Sequence, residues 1–299
     1  MTALTTRELA GTERTLRQLE LAVTRRLDGL LHGDLQSVVP GPGSDSGDGR
    51  AYQPGDDVRR IDWSLSARSN ATMVRTTIAD RELETWLVVD GSASLDFGTA
   101  DCEKRDLALA GAAAFGFLAA RGGNRVRAAL VEPTGTRIVP PRAGRPALLG
   151  LLRRIERRPR DVEGHTPLAA GLRRVQQVAR RRGLVVVVSD LLDDGDWPAA
   201  LRHLAARHDL VVVEGRDPRE VRLPDPGLLP LVDPETGGRL GVQTADTRLR
   251  RRFADAARER RCRNERAVRA SGASRIVLST DRDWVADVVR YTVARRRRR

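Results

Sequence analysis

Leu87-Val88-Val89-Asp90-Gly91-Ser92-Ala93-Ser94 and Val186-Val187-Val188-Ser189-Asp190 are the stretches that decide the fold. Each is a short apolar run that stops at an aspartate among hydroxyl residues. A run apolar at every position is buried on both faces, and that is the pattern of a strand in a parallel sheet. Working outward, Glu103–Ala120, Arg145–Arg157, Pro167–Arg181 and Pro198–Ala206 read as helices. Further strands are expected at Arg125–Val131, Thr136–Val139, Leu210–Val213 and Arg275–Ser279. Leu228–Val232 and Arg239–Gln243 flank a Pro-Glu-Thr-Gly-Gly turn and read as a hairpin. A long helix follows, and a last one starts at Trp284. Apolar strands alternating with amphipathic helices predict a doubly wound α/β fold, its mostly parallel sheet covered on both faces. Ligands of such folds bind beyond the carboxyl ends of the strands, where the strand order reverses.

Upstream, Thr12–Leu31 carries leucines and valine at helical spacing, Gly41–Gly49 reads as a turn-rich linker, and Thr72–Ile78 as a strand. The division expected is residues 1–82, an N-terminal helix and β extension packed on the main domain, and 83–299, the α/β domain itself.

Composition bounds the function. The chain has 299 residues and a formal charge of +13, with only 3% aromatic residues, so aliphatic side chains must fill the core. Two cysteines cannot build a disulfide framework, and neither sits in a zinc-type pair. The longest apolar run, Ala110–Ala120, is too short for a bilayer, and residues 1–14 show no signal-peptide core. A cytoplasmic protein is expected. Lys104 is the only lysine, and the other 52 cationic side chains are arginines. Residues 246–299 hold 18 arginines against 7 acids, a net +11, and end in Arg295–Arg299. Such a segment can meet nucleic acid, acidic lipid or an acidic partner, or form a solvated helix face and a frayed tail. Only Phe253, Trp284 and Tyr291 fall within it, too few to interleave with the arginines and stack bases, and no helix-turn-helix or zinc-finger pattern stands out, so nucleic acid is the disfavoured partner.

The chemistry expected at the strand ends is that of hard oxygen donors. Asp90, Ser92 and Ser94 lie at i, i+2 and i+4 on one tight loop, Asp190 follows the second strand, and Thr166 precedes a helix in Gly164-His165-Thr166-Pro167. Two carboxylates and three hydroxyls suit Mg²⁺ or Mn²⁺, and Mg²⁺ takes six oxygens at about 2.1 Å. With two protein charges against the ion's two, an acidic group from another molecule can complete the shell. Each of these residues also has an ordinary use: Ser and Asp in turns, Thr166 as the N-cap of its helix.

Asp90-x-Ser92-x-Ser94, Thr166 and Asp190 together resemble the metal-ion-dependent adhesion site of von Willebrand factor A domains. That resemblance implies that the first and fourth strands lie side by side at the switch point. It also implies that all five residues ligate the metal and that a partner's carboxylate is the usual sixth ligand. A second string, Arg50-Ala51-Tyr52-Gln53-Pro54-Gly55-Asp56-Asp57-Val58-Arg59-Arg60-Ile61-Asp62-Trp63, resembles the signature of the bacterial domain of unknown function fifty-eight family. Leu27–Asp34 and Asp233-Pro234-Glu235-Thr236-Gly237 fit that family too. That resemblance implies a partnership with a MoxR-type AAA+ ATPase in assembling or maturing other proteins. The signature's alternating charges read as an ion-pair network anchoring the N-terminal segment, with Trp63 as its apolar plug; a docking surface is the other reading.

Rival chemistry is thinly supported. His203 and His208 are five apart and do not share a helix face, and His165 beside the metal loop reads as a turn residue. Ser92 has no base partner and no Gly-x-Ser-x-Gly elbow. Asp193, Asp194 and Asp196 read as a helix N-terminal cluster. The function expected is a non-enzymatic, metal-dependent protein-interaction module. The alternatives are a Mg²⁺-dependent phosphoester hydrolase and polyanion binding through the arginine-rich segment.

Overall fold

A computed structural model describes residues 50–53, 58, 61–69, 71–74, 84–121, 124–142, 144–160 and 164–296. The expected helix Thr12–Leu31 and the linker Gly41–Gly49 lie outside the described residues, as do Arg297–Arg299 of the tail.

The centre is a six-stranded sheet. Its strands are β3 (Glu84–Asp90), β4 (Arg125–Glu132), β5 (Gly135–Arg142), β6 (Gly183–Ser189), β7 (Asp209–Arg216) and β10 (Ser274–Ser279), in the order β10-β7-β6-β3-β4-β5. Only β5 runs antiparallel, because it returns from β4 through the short Pro133-Thr134 turn. β3 and β6, the first and fourth strands of the sheet in chain order, pair in parallel from Glu84↔Gly183 to Val89↔Val188. From that pair the chain winds outward in both directions, so the switch point lies between them, as the doubly wound reading requires.

Strand alternation divides the core into two layers. Leu87, Val89, Leu184, Val186 and Val188 point to one face, where α2 (Lys104–Arg121), α3 (Arg145–Glu156) and Val288 of α7 (Trp284–Arg296) cover them. Trp86, Val88, Val185 and Val187 point to the other, under α4 (Leu168–Val178), α5 (Trp197–Ala205) and Val268 of α6 (Thr247–Ala270). With a core on each side, these strands need apolar residues at every position, and this is why their sequences lack the polar alternation of a half-exposed sheet. α4 lies close against β4: a Cβ on Gly171 would stand 2.3 Å from Val131 Cγ2, so only glycine fits there. That approach brings the loop before α4 to the carboxyl edge of the sheet.

Of the strand expected at Thr72–Ile78, Met73–Val74 form β2, paired with β1 (Arg50–Ala51), and residues 75–78 lie outside the described residues. Trp63 is not a plug. It opens α1 (Trp63–Ser69), is 72% exposed, and Asp62 caps this short helix by accepting from Ser64 N and Leu65 N, each at 3.1 Å. The helix expected to run to Arg181 stops at Val178. The hairpin forms as read, β8 (Leu228–Val232) against β9 (Arg239–Gln243). Among the described residues, no helix is long and apolar enough to cross a membrane.

Candidate metal centre

β3 and β6 end side by side, which sets Asp90 next to Ser189 and Asp190. Gly91 makes the turn possible. Its N–H donates to Val131 O at 2.7 Å, and a Cβ would lie 2.5 Å from that same oxygen. From this turn the side chains form a continuous chain of contacts. Asp90 Oδ1 accepts from Ser92 N at 2.8 Å. Ser92 Oγ lies 2.9 Å from Ser94 Oγ, and Ser94 Oγ donates to Asp190 Oδ2 at 2.8 Å. Four of the five expected ligands are thus brought together, and all five are buried.

The fifth, Thr166, stands apart in a telling way. Its N-cap role fails: Pro167 holds the cap position of α4, and the first amide of the helix, Leu168 N, donates instead to Asp193 Oδ2 at 3.1 Å. Thr166 Oγ1 is sealed from solvent and, among the described residues, has no hydrogen-bond partner. A buried hydroxyl without a partner costs free energy, of order 1–3 kcal/mol, unless something unseen satisfies it. Asp193 therefore ties the Thr166 loop to the loop after β6 and does not cap its own helix. His165 sits between Asp193 (3.5 Å) and Glu235 (3.4 Å), so it belongs to this loop tie.

Burial, and then the nearby Asp190 carboxylate, push the Asp90 acid up to about 6, against the opposing hydrogen bonds from Ser189 and Ser92. Ser189, absent from the expected ligand set, donates from Oγ to Asp90 Oδ2 at 2.5 Å. Leu191 holds the loop in the left-handed region at φ 56°, an uncommon place for a bulky side chain and a form of strain found at functional sites. Asn264 of α6 donates to its carbonyl at 2.8 Å and fixes it there. On the other side Arg158 donates to Asp90 O at 3.0 Å and to Asp96 Oδ1 at 2.8 Å, anchoring the end of β3.

The residue that motif reading missed altogether is Lys104. Its Nζ lies 2.7 Å from Asp190 Oδ2 and also contacts Glu220 Oε1, with the side chain 1% exposed. Burial pulls this ammonium's pKa down, but Asp190 and Glu220 more than reverse that and leave it raised, so it is charged. The one signal for it in the sequence is its solitude among 52 arginines.

Does this donor set fit a divalent ion? Two carboxylates, two linked hydroxyls and an unpartnered buried hydroxyl on the loop at the same edge are hard oxygen donors of the kind Mg²⁺ and Mn²⁺ take. Among the described residues no group of three or more His, Cys, Asp or Glu side chains could hold a metal, so the hydroxyls are essential to the fit. Lys104 offsets part of the negative charge, which suits a weakly charged, open site better than a closed cage.

The turn of the β8–β9 hairpin reaches the same edge. Gly164 N donates to Glu235 O at 2.9 Å, and Asp233 holds the turn by accepting from Thr236 Oγ1 at 2.6 Å and Glu235 N at 3.0 Å. The Asp233–Gly237 string is therefore a neighbour of the Thr166 loop. Along the hairpin Leu228, Val232 and Leu240 are exposed.

Comparisons with known proteins agree with the second resemblance. The family model described as protein of unknown function DUF58 matches residues 48–263. An uncharacterized protein of Mycobacterium tuberculosis is 50% identical over 283 residues, covering 94% of this chain and 89% of that one. A shorter uncharacterized protein of Mycobacterium avium is 42% identical over 160 residues, 53% of this chain and 94% of that one. Among solved structures, the conserved hypothetical protein BatB from Bacteroides thetaiotaomicron aligns over 73% of this chain and 100% of its own, at 10% identity and a TM-score of 0.41. The SpRpn10 VWA domain aligns over 69% of this chain and 93% of its own, at 12% identity and a TM-score of 0.38.

Proposed function

The chain belongs to the family described as protein of unknown function DUF58, and we propose that it is a protein-interaction module whose docking depends on a divalent metal. Asp90, Ser92, Ser94, Thr166 and Asp190 hold Mg²⁺ or Mn²⁺, and the ion offers an open, Lewis-acidic position to a carboxylate from a partner. The observation that carries this reading is Thr166 Oγ1: a buried hydroxyl with no hydrogen-bond partner among the described residues, on a loop tied through Leu168 N to Asp193, three residues beyond the buried Asp190. Each of the five residues is buried, so a slender acidic side chain reaches the ion and a broad surface does not. The partner in this reading is a MoxR-type AAA+ ATPase or its client, and the work done is assembly or maturation of other proteins. The exposed Val232 and Leu240 of the hairpin supply an apolar rim for the rest of that partner.

The reading is one of binding and not of turnover. Asp90-x-Ser92 carries a serine where an aspartyl-phosphate hydrolase would present its second aspartate, and Ser92 Oγ lies against Ser94 Oγ at 2.9 Å and not against a base. The test is capture from native lysate on the tagged chain, in Mg²⁺, in EDTA, and with an Asp190→Ala control, read by mass spectrometry. A MoxR-type ATPase retained in Mg²⁺ and lost in the other two conditions supports the proposal. Its equal retention in all three contradicts it.

One observation favours a second reading. α6 exposes Arg248, Arg251, Arg252, Arg260, Arg263 and Arg266, and only Val268 of the helix is buried. Polyanion contact through this face predicts binding that falls steeply with salt and ignores EDTA.

A further inference from the structure

Lys104 is the chain's single lysine, and it is spent inside the candidate metal centre. Two loops hold its ammonium. Asp190 comes from the loop after β6, with Oδ2 at 2.7 Å, and Glu220 from the short helical turn after β7. Glu220 is itself fixed, its Oε2 accepting from Asp217 N at 3.0 Å. Asp217 in turn is locked by Thr99 N at 2.8 Å, Thr99 Oγ1 at 2.6 Å and Thr280 Oγ1 at 2.7 Å. The Phe97 ring lies 5.8 Å from Nζ on the remaining side. An ammonium is a compact point charge, whereas guanidinium is a planar fork, and this sealed position between two carboxylates suits the former. That accounts for a lysine here in a chain that otherwise uses arginine.

An ion bound at Asp190 must share that carboxylate with the ammonium. Two cations on one acid repel, and the repulsion is strong where water is excluded. A partner's carboxylate, arriving as a further ligand, restores the missing negative charge. We propose that Lys104 is a built-in counter-ion that keeps the site's affinity for a free divalent ion low, so that the ion is held firmly only when an acidic group arrives with it. The inference rests on the docking reading above and adds to it the reason the site stays open. By linkage, an acid that tightens the ion is itself tightened by the ion to the same degree.

The test is Mn²⁺ uptake at neutral pH, measured from the spin-resonance signal of the free ion. The intact chain is compared with Lys104→Met and Glu220→Gln. Lys104→Met removes the competing charge and is expected to tighten Mn²⁺ by about tenfold or more. Glu220→Gln leaves the ammonium with one carboxylate fewer and is expected to weaken Mn²⁺ several-fold, although Glu220 is no ligand. Because Lys104 is the only lysine, isotope labelling at the lysine ε-nitrogen gives one side-chain ammonium resonance. In the intact chain that resonance is expected to shift as Mg²⁺ is added, with the midpoint of binding. Should Lys104→Met not fold, Glu220→Gln and the resonance carry the test. Equal Mn²⁺ affinities in the folded chains, or an ammonium resonance that stays still through saturation, overturn the inference and leave the docking reading standing. No uptake by any of the chains overturns both.

Discussion

Burial and the neighbouring Asp190 hold the Asp90 acid up at about 6, well above the 3.8 of a free aspartate. The sign of the consequence is fixed. The folded chain binds this proton more tightly than the unfolded chain, so stability falls as pH rises from about 4 to about 6 and stays lowered above that. Asp90→Asn removes the charge and keeps an acceptor for Ser92 N. In EDTA at pH 8 it is expected to raise stability by about 1–3 kcal/mol, the gain vanishing near pH 4. Urea melts at the two pH values measure this, and a loss of stability at pH 8 contradicts the account of Asp90. Thr166→Ala provides the complement. Its hydroxyl has no hydrogen-bond partner among the described residues, so in EDTA the substitution is expected to raise stability, by about 1–3 kcal/mol. Mn²⁺ affinity is expected to fall by about tenfold, since a ligand is lost while the fold is kept. Equal Mn²⁺ affinity after Thr166→Ala removes Thr166 from the site.

At the scale of elements, the strands were the most legible part. Unbroken apolar runs in β3 and β6 announce burial on both faces, and their polar ends mark where the sheet stops. Asp90, Ser92, Ser94 and Asp190 were therefore legible as residues at the ends of buried strands; that the two strands are neighbours came only from the resemblance to von Willebrand factor A domains. Ser189 and Lys104 were not legible as site residues, for different reasons. Ser189 looks like one more turn residue, and only the β3–β6 register sets it against Asp90. Lys104 opens a helix 86 residues from Asp190, and nothing local encodes that meeting. Trp63 failed as a plug because a large apolar side chain in a signature string suggests burial, while here it lies on the open face of a two-turn helix. Trp63→Ala is accordingly expected to change stability by no more than about 0.5 kcal/mol, measured by thermal melting. A loss of several kcal/mol would return Trp63 to a packing role. Gly171 offers the opposite case. Gly171→Leu must push α4 off Val131 and is expected to cost about 1–3 kcal/mol while disturbing the Thr166 loop.

For the whole molecule, the fold gathers onto one edge of the sheet what the sequence scatters. The strand-end acids, the lysine of α2, the Thr166 loop and the turn of the β8–β9 hairpin meet there, while the arginines of α6 lie along a separate helix. Two partners with different chemistry can thus be told apart by substitution. Val232→Asp with Leu240→Asp is expected to weaken the protein partner and leave Mn²⁺ affinity unchanged, as both side chains are exposed and neither is a ligand. The central claim is that the strand-end oxygens hold a divalent ion which a carboxylate completes. Its most direct test is Mn²⁺ titration of the intact chain and of Asp90→Ala, each with and without acetate. The account predicts one ion per chain in the intact protein, held more tightly with acetate, and no specific uptake by Asp90→Ala. Equal uptake by the two chains, or an affinity that ignores acetate, would contradict it.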